Sequence, residues 1–355
     1  MKQTVCLNMI IKNESKAIKR CLVSVKRFID YWVIVDTGST DGTDSIIKEL
    51  LEGLPGEIHH RAWRDFAYNR NEALQLARNK GDYLLFIDAD EELKFDEAFV
   101  RPLLDKDAYY LTTVLPNHVV IYRMSLVNNH LDWVWEGVLH EVLYSTKTGR
   151  SCAILPGVVN QATNQDGQRS QDPKKYHHDA RILEIELKRD PQNSRTVFFL
   201  AQSYYQAKNY RKSLKAYQKR SIMGGFEEEV YFSLYMTARL QEKLKMAPKT
   251  FIAGYQKAFA FRPSRAEPLY WIANHYHRIG RYEDAYLILK EALSIPCPSD
   301  SINIERDIYE YGLLFLWIDS ARKLKKETEA QEGYDRLSHE RRALFDQLTA
   351  PKDSR

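Results

Sequence analysis

An apolar run that leads into a cluster of acids constrains this chain most. Residues 83–87 are all apolar or aromatic, and Asp88, Ala89 and Asp90 follow directly. A short continuous apolar run bounded by polar residues predicts a buried strand of a parallel sheet. The carboxylates then lie at the carboxyl end of that strand, which is the edge of an open α/β sheet where ligands bind.

The two aspartates of this cluster are candidate metal ligands. Asp88 and Asp90 stand two residues apart, so their side chains would point the same way in an extended chain. Two hard oxygen ligands at this spacing suit a divalent cation whose remaining ligands are substrate phosphates. The alternative is a solvated acidic turn, which is the usual role of a short run of charge. The residues that precede the cluster favour the first interpretation.

Strands and helices alternate through the N-terminal part of the chain. Predicted strands cover residues 4–11, 31–35, 57–62 and 83–87, and predicted helices cover residues 17–25, 44–51 and 67–79. This alternation predicts βαβ units and a parallel sheet. The ends of three strands would then place five polar side chains along one edge of the sheet, namely Asn13, Glu14, Asp36, Asp88 and Asp90.

A loop rich in Gly, Ser and Thr begins at Asp36 and extends to Thr43. It lacks the glycine spacing and the lysine of the common phosphate-binding loops. An Asp at a strand end can accept hydrogen bonds from a ribose or a base, and small residues let a ligand approach the backbone. The alternative is a turn that ends in a helix cap, with Ser39 or Thr43 as the capping residue.

Two tryptophans, a glycine and a His-Glu pair occur within residues 133–141. Tryptophan faces suit stacking on a sugar ring, while His140 is a candidate metal ligand and Glu141 a candidate general base. The alternative is an amphipathic strand that buries its tryptophans and exposes the His-Glu pair. Two strands are also predicted before this region, at residues 109–114 and 119–124.

The C-terminal half of the chain reads as helical repeats. Small and aromatic positions recur at a spacing of 36, as in the series Ala201, Thr237 and Ala273. Such a period is typical of helix–turn–helix units that stack into a solenoid. We expect a further helix within residues 308–321 and one more in the charged tail that begins at Arg322.

The composition of the chain changes between its two halves. Residues 160–175 are strongly polar and predict a linker or a mobile loop. The predicted domains are therefore an α/β domain at residues 1–159, this linker at 160–175, and a helical repeat domain at 176–355.

Four motifs, in this order, resemble the family 2 nucleotide-sugar glycosyltransferases with a GT-A fold. They are Asn13-Glu14-Ser15, residues 36–43, residues 64–71 and residues 87–91. The pattern Trp135-x-Gly137-x-x-His140-Glu141 is similar to the branch that carries C-terminal tetratricopeptide repeats, which includes lipopolysaccharide-core glucosyltransferases and bacteriocin S-glycosyltransferases. Each motif is weak alone, whereas four in order are specific. The resemblance implies an α/β fold, with a GT-A Rossmann-like and mostly parallel sheet followed by an all-α domain of tetratricopeptide-like repeats.

The resemblance also implies roles for individual residues at the donor site. Asp36 would bind the uridine while Glu14 shapes the nucleotide pocket, and Arg70 with Asn71 would hold the diphosphate or the donor sugar. The full set of predicted donor-binding residues is Asn13, Glu14, Asp36, Gly38, Asp41, Arg70, Asn71, Asp88 and Ala89.

The catalytic residues follow from the same resemblance. Asp88 and Asp90 would form the DXD pair, with Asp90 as the more direct metal ligand and His140 as a further ligand. Glu141 would be the general base. The Glu-Asp base motif of the wider family is not visible in this sequence, so Glu136 and Asp132 remain alternatives.

The expected activity is metal-dependent, inverting transfer of a hexose from a UDP-sugar to a hydroxyl or thiol. Mn²⁺ or Mg²⁺ would offset the negative charge that develops on the leaving nucleotide diphosphate. The resemblance favours UDP-glucose, with UDP-N-acetylglucosamine and UDP-galactose as alternatives. The acceptor would be a glycan or a peptide or protein, and the repeats would bind a protein partner or a second copy of the chain.

Two other classes of function compete with this interpretation. The first is a tetratricopeptide scaffold with an inactive nucleotide-sugar domain, although the retention of Asp36, Asp88, Asp90 and His140 argues against it. The second is a nucleotidyltransferase, which would carry a Gly-rich loop with a basic residue after the first strand. Residues 11–14 read Ile-Lys-Asn-Glu instead.

Charge and cysteine content narrow the partners and the compartment. The formal net charge is only +4 over 355 residues, so no nucleic-acid partner is indicated. Four cysteines without a C-x-x-C pair suggest neither a zinc site nor a disulfide framework. No run approaches the roughly 20 apolar residues that span a bilayer, and no signal peptide is recognisable at the N-terminus. We therefore expect a cytoplasmic protein without a transmembrane segment.

Overall fold

The computed structural model describes residues 3–115, 120–162, 167, 169, 171–300 and 302–349. The chain divides into two compact units, Met1–Glu186 and Leu187–Arg355. The first unit is α/β with a mostly parallel sheet, and the described part of the second unit is helical. The predicted fold class is therefore confirmed. The division itself falls inside a helix, beyond the polar stretch at residues 160–175.

Among its described residues, the first unit contains ten strands, three complete helices and most of a fourth. The strands are β1 (Val5–Ile11), β2 (Tyr31–Asp36), β3 (Gly56–His60), β4 (Tyr83–Phe86), β5 (Glu91–Phe95), β6 (Ala108–Val114), β7 (Val120–Asn128), β8 (Trp133–Glu136), β9 (Val142–Ser145) and β10 (Cys152–Ala162). The helices are α1 (Ile18–Val25), α2 (Thr43–Leu50), α3 (Phe66–Leu76) and α4 (Lys175–Arg189), the last of which spans the division.

Eight of these strands form one sheet in the order β3-β2-β1-β4-β7-β6-β10-β5. Strands β1 to β4 are mutually parallel, with β1 between β2 and β4. Strand β7 is antiparallel to both β4 and β6, and β8 with β9 forms a separate hairpin. The carboxyl ends of β2, β1 and β4 are therefore neighbours, as the sequence predicted.

Burial explains why these segments become central strands. Every residue of β4 is buried, and β1 is buried except for Ile10. Both faces of a central strand in such a sheet are covered, so a continuous apolar run is favoured there over strict alternation. Helix α1 buries Ile18, Cys21, Leu22 and Val25 on one face, which seals the sheet on that side.

Several strands were not predicted from the sequence. Strands β5 and β9 are short and mix charged or polar residues with apolar ones, and β10 extends into the stretch that was expected to be a linker. Within β10, Asn160 and Gln161 pair with Leu93 and Glu92 of β5. Their hydrogen-bond partners are distant in sequence, so the local polarity of this stretch suggested a loop.

The second unit consists of consecutive helices that pack in pairs. They are α5 (Ser194–Gln206), α6 (Tyr210–Arg220), α7 (Glu227–Lys243), α8 (Pro248–Phe261), α9 (Glu267–Arg278), α10 (Tyr282–Ala292), a π-helical turn (Ile308–Gly312), α11 (Leu313–Lys323), α12 (Glu327–Asp335) and α13 (His339–Thr349). The first helix of each pair is followed by one residue with left-handed φ, at Lys208, Lys245, Gly280 and Lys325. The described part of the tail thus holds two helices, α12 and α13, where the sequence predicted one.

The repeat alignment needs one correction. Ala201 and Ala273 are fully buried, but their structural equivalent in the second pair is Ala238, which is also fully buried. Thr237 is only partly buried, and its hydroxyl donates to Ser233 O at 2.7 Å. The uniform period of 36 was therefore wrong, because the residues with left-handed φ that end α5, α7 and α9, namely Lys208, Lys245 and Gly280, are spaced by 37 and 35.

Among the described residues, no helix is both long enough and apolar enough to cross a membrane.

Candidate active site

Two loops at the carboxyl ends of β1 and β2 are tied together by hydrogen bonds. Asn13, which has a left-handed φ of 55°, accepts from Thr40 N at 2.8 Å and donates its own N–H to Ser39 Oγ at 2.9 Å. Glu14 N donates to Thr43 Oγ1 at 2.9 Å. Both hydroxyls thus join the loops, and α2 begins after Gly42 without a side-chain cap. The suggested capping role of Ser39 or Thr43 was wrong.

Asp36 shapes the second of these loops. Its side chain is almost completely buried, and Oδ1 accepts from Gly38 N at 2.9 Å and from Ser39 N at 2.7 Å. An Asp that binds the backbone two and three residues ahead stabilises a tight turn. Gly38 has a φ of 111°, and a Cβ at this position would meet no atom within 4 Å, so glycine is required for the turn rather than for close packing. A contact between Asp36 and a uridine stays a prediction.

Asp41 joins the two loops from the other side. Its carboxylate accepts from Thr43 Oγ1 at 2.6 Å and from Ser15 N at 3.0 Å. Asp41 is exposed, and a partial loss of solvation opposes its ionisation, but the hydrogen bonds from Thr43 and Ser15 outweigh this effect and lower the pKa of Asp41 to about 2. The carboxylate is therefore charged at neutral pH and holds the first turn after β1 against the loop after β2.

The paired aspartates lie in a turn and not in an extended chain. Strand β4 ends at Phe86, and Glu91 N donates to Asp88 O at 3.0 Å to close the turn. The carboxylate of Glu91 in turn accepts from Asp88 N at 3.1 Å. The expectation that Asp88 and Asp90 point the same way because of strand alternation is thus not met. Ala89 packs in the core, so its side chain does not face the sheet edge.

Asp90 lies beside a glycine from the polar stretch after β10. A Cβ on Gly167 would lie 2.6 Å from Asp90 Oδ2, so only glycine fits at this distance in the present arrangement. The carbonyl oxygen of Asp90 accepts from Arg20 Nη2 at 3.2 Å, which fixes the turn against α1. The backbone of Asp90 is thus held against α1, and Gly167 packs close to its carboxylate.

Two arginines converge on Asp88. Arg70 of α3 donates from Nη2 to Asp88 Oδ1 at 2.8 Å, and Arg123 Nη1 of β7 lies 3.4 Å from Asp88 Oδ2. Burial opposes the ionised form of Asp88, but the charges of Arg70 and Arg123 outweigh it and lower its pKa below the ordinary value. The pKa of Arg70 is raised because its carboxylate partners outweigh its burial.

Arg123, Glu91 and Asn160 were missed by the sequence analysis. Glu91 is almost completely buried, and its Oε2 forms an ion pair with Arg123 and accepts from Asn160 Nδ2 at 3.0 Å. Asn160 Oδ1 is buried and has no hydrogen-bond partner among the described residues. The acidic run after β4 hinted at Glu91, whereas no local pattern indicated Arg123 or Asn160, which come from β7 and β10.

The region after β8 reaches the same cluster through Arg70. Glu141 Oε1 accepts from Arg70 Nε at 2.6 Å, and the guanidinium of Arg70 also lies 5.0 Å from the ring centroid of Trp135. Asn71 bonds the backbone of Trp135 with both ends of its amide, at 2.8 Å each, and so holds β8 against α3. His140 is exposed and has a left-handed φ of 55°. The predicted strand therefore ends at Glu136, before the His-Glu pair.

The fit of a divalent cation can be judged from these side chains. The described residues bring together no group of three or more His, Cys, Asp or Glu side chains that could hold a metal ion. Both oxygens of Asp88 face guanidinium groups. A cation held by these side chains would therefore have to take most of its ligands from phosphate oxygens. Binding of Mn²⁺ or Mg²⁺ by Asp88, Asp90 and His140 stays a prediction.

Comparisons with known sequences show which proteins this chain resembles. Residues 6–156 match the family described as "Glycosyl transferase family 2". A glycosyltransferase of Bacillus subtilis, SunS, is 26% identical over 237 residues, which cover 61% of this chain and 54% of that protein. A TPR repeat-containing protein of Synechococcus elongatus is 38% identical over 147 residues, or 39% of this chain and 35% of that protein.

A third relative is the lipopolysaccharide core biosynthesis glycosyltransferase LpsC of Rhizobium meliloti, with 34% identity over 24% of this chain and 30% of that protein. These matches span about a third to a half of the relatives' length. Among solved structures, the MamA protein aligns with 51% of this chain and 87% of its own at 14% identity, with a TM-score of 0.36.

Proposed function

We propose that this chain transfers a hexose from a UDP-sugar to an acceptor hydroxyl or thiol, because residues 6–156 match glycosyl transferase family 2. One structural observation supports this proposal in addition to the family match. Arg70, Arg123 and Asp88 converge at the carboxyl end of β4, next to the loops that follow β1 and β2. This is the edge of a parallel sheet where a nucleotide binds.

The loops after β1 and β2 suit the nucleoside part of the donor. Asp36 and Asn13 hold these loops in a fixed shape, so little ordering entropy is lost when a nucleoside binds. Asp36 Oδ1 is used within the loop, and Oδ2 is the oxygen that we assign to the uridine. Glu14, Gly38 and Asp41 would line the same pocket.

The two arginines suit the diphosphate. A guanidinium binds phosphate oxygens through paired donors, and it stays charged at any physiological pH. In this structure Arg70 and Arg123 both contact the carboxylate of Asp88. A phosphate carries the same sign of charge and could bind to the same two arginines. We assign both arginines to the diphosphate and Asp90, with Asp88 and His140, to the cation. A bound Mn²⁺ or Mg²⁺ would supply Lewis acidity that offsets charge on the leaving diphosphate.

Glu141 is the proposed general base. Its side chain is 12% exposed, and its hydrogen bond to Arg70 Nε orients the carboxylate. It would take the proton of the acceptor as that group attacks the anomeric carbon from the face opposite the leaving group, which inverts the configuration. Glu136, which is exposed at the end of β8, and Asp132 are the alternative bases.

The sugar and the acceptor are proposed more broadly. We retain UDP-glucose, UDP-N-acetylglucosamine and UDP-galactose as donors. The name of LpsC indicates that this relative acts in lipopolysaccharide core biosynthesis. For the present chain we propose an acceptor that is a glycan or a peptide or protein. The helical unit would bind a protein partner or a second copy of the chain.

The test combines ligand binding with turnover. Ligand that binds only the folded state raises its stability, so thermal unfolding should shift upward with UDP and Mn²⁺. Asp90→Ala should lose the part of the shift that depends on Mn²⁺ and should release no UDP from UDP-glucose. Glu97→Ala, which removes an exposed carboxylate beyond β5, is the matched control and should behave like the wild type. No shift with any nucleotide would favour the scaffold alternative.

A further inference from the structure

The connection from α10 to α11 differs from the other connections of the helical unit. It runs over residues 293–312, whereas the connections from α6 to α7 and from α8 to α9 cover only residues 221–226 and 262–266. Part of the long connection, which we call the acidic segment, consists of Asp300 and residues 302–305. The acidic segment contacts α7 and the short connection before α9 instead of extending into solvent.

A buried arginine holds the backbone of this segment. The guanidinium of Arg265 is 1% exposed, and it donates to Ile302 O at 3.2 Å and to Asn303 O at 3.0 Å. The same group pairs with Glu267 at 2.7 Å and with Asp300 at 3.1 Å. Arg262 adds a two-pronged contact to Asp300 at 2.6 and 2.7 Å. One guanidinium thus recognises both main-chain carbonyls and a carboxylate.

Helix α7 provides the second half of the contact. Its Glu228 accepts from Ile302 N at 2.9 Å, and its Tyr235 donates to the carboxylate of Glu305. Glu228 and Tyr235 are seven residues apart and so share one face of the helix. Between these polar contacts, Ile302 packs against the hydrophobic cluster that includes Tyr231 and Tyr235.

These contacts have the features of peptide recognition. Hydrogen bonds to main-chain groups hold a segment that bends at Asn303, where φ is 38°, while side chains at set positions supply selectivity. Here the selective positions are an Asp, an apolar residue two positions later and a Glu three positions after that. Without an occupant, the donors of Arg262 and Arg265 that now bind Asp300 and the carbonyls would lose these partners, which is costly for a buried charge.

We propose that α7 and the connection before α9 form a binding face for an acidic peptide of this bent conformation, and that the acidic segment occupies this face as a tethered internal ligand. A tether keeps the local concentration of the segment at about the millimolar level or higher. A free peptide of ordinary affinity therefore cannot bind to this face until the acidic segment dissociates from it. The partner of this face is a protein segment with the pattern Asp-x-apolar-x-x-Glu.

The first experiment opens the face by two substitutions in the full chain. Asp300→Ala combined with Glu305→Ala removes both acidic anchors of the segment and leaves the Arg265–Glu267 pair in place. A fluorescent peptide with the sequence of residues 298–307 should then bind at least about tenfold more tightly than it binds to the unaltered chain, as measured by anisotropy. The control Glu283→Ala with Asp284→Ala removes two acids from α10 and should leave the face closed.

Two further measurements decide the outcome. A peptide that carries Ala at both acidic positions should not bind the opened variant. A second variant, in which residues 298–307 are replaced by a Gly-Ser linker of equal length, should bind the acidic peptide as the double variant does. Equal binding by the unaltered chain, or no binding by either opened variant, would overturn the proposal. Loss of cooperative unfolding in both variants would also overturn it, because the segment would then be part of the core. None of these outcomes depends on glycosyl transfer.

Discussion

Arg70 of α3 donates a hydrogen bond to Asp88 at 2.8 Å, and the same carboxylate lies 3.4 Å from Arg123 of β7. Helix α3 and strand β7 are far apart in sequence. Strand β7 lies beside β4 in the sheet, and Arg70 of α3 reaches the end of β4 through its hydrogen bond to Asp88. The negative charge of Asp88 is thus paired with the guanidinium groups of two arginines. Because a phosphate would compete for the same two guanidinium groups, substitution of one arginine can separate binding of the diphosphate from binding of the nucleoside.

Arg123→Gln should weaken UDP binding by about 10- to 100-fold and leave uridine binding unchanged. Loss of a hydrogen bond to a charged group costs about 1.5–3 kcal/mol, and uridine has no phosphate for Arg123 to bind. Thermal shifts with UDP and with uridine would measure both effects. Arg101→Gln, which removes an arginine paired with Asp30 at 2.8 Å near the start of β1, is the control and should retain both shifts. Equal loss of both shifts in Arg123→Gln would indicate a structural role for Arg123.

Glu141→Gln should lower kcat by about 10²- to 10⁴-fold with little change in KM, which is the usual effect of removing a general base. Glutamine can still accept the hydrogen bond from Arg70 Nε, so the geometry around Arg70 should persist. Steady-state kinetics with a UDP-sugar and the best available acceptor would measure this split. Glu136→Gln is the matched control, and a larger loss of kcat there would move the base to Glu136.

Asp41→Asn should lower stability at neutral pH and have progressively less effect as the pH falls from about 4 to about 2. Folding lowers the pKa of Asp41 from 3.8 to about 2, because hydrogen bonds from Thr43 and Ser15 outweigh a partial loss of solvation. A carboxyl with a lowered pKa stabilises the folded state above its unfolded pKa, and this contribution is lost as the pH falls through the folded value. Urea unfolding of both proteins across this range would show the narrowing difference.

The exposed Glu49→Gln of α2 controls for the removal of one negative charge. A difference between Asp41→Asn and the wild type that stays constant down to pH 2 would contradict the ionic role of Asp41.

Ala238→Leu should destabilise the helical unit by about 1–3 kcal/mol, because overpacking a close contact forces neighbouring side chains to move. A Cβ on Gly254 would lie 3.0 Å from the Cβ of Ala238, so α7 and α8 approach closely at this point. Thr237→Leu, one residue earlier and partly exposed, should change stability by about 0.5 kcal/mol or less. Denaturant unfolding would compare the two. The reverse ranking would restore the uniform repeat spacing.

The sequence alone determined the main architecture of this protein. The continuous apolar run before Asp88 predicted the central strand β4, and alternating strands and helices predicted that Asn13, Asp36 and Asp88 share one sheet edge. Local polarity carries this information, because a buried strand and the turn after it differ sharply in composition. The helical second half was readable for the same reason.

Only the tertiary structure decided how the charges of the site are paired. Arg123 reaches the acidic cluster because β7 pairs with β4, and Asn160 reaches it because β10 pairs with β5. Both pairings join strands that are distant in sequence, and no local pattern encodes them. The turn at Asp88 replaced the expected extended pair because Glu91 binds the backbone of Asp88. The choice of Ala238 over Thr237 and the docking of Asp300 and Glu305 likewise depend on packing between distant residues, which sequence periodicity cannot specify.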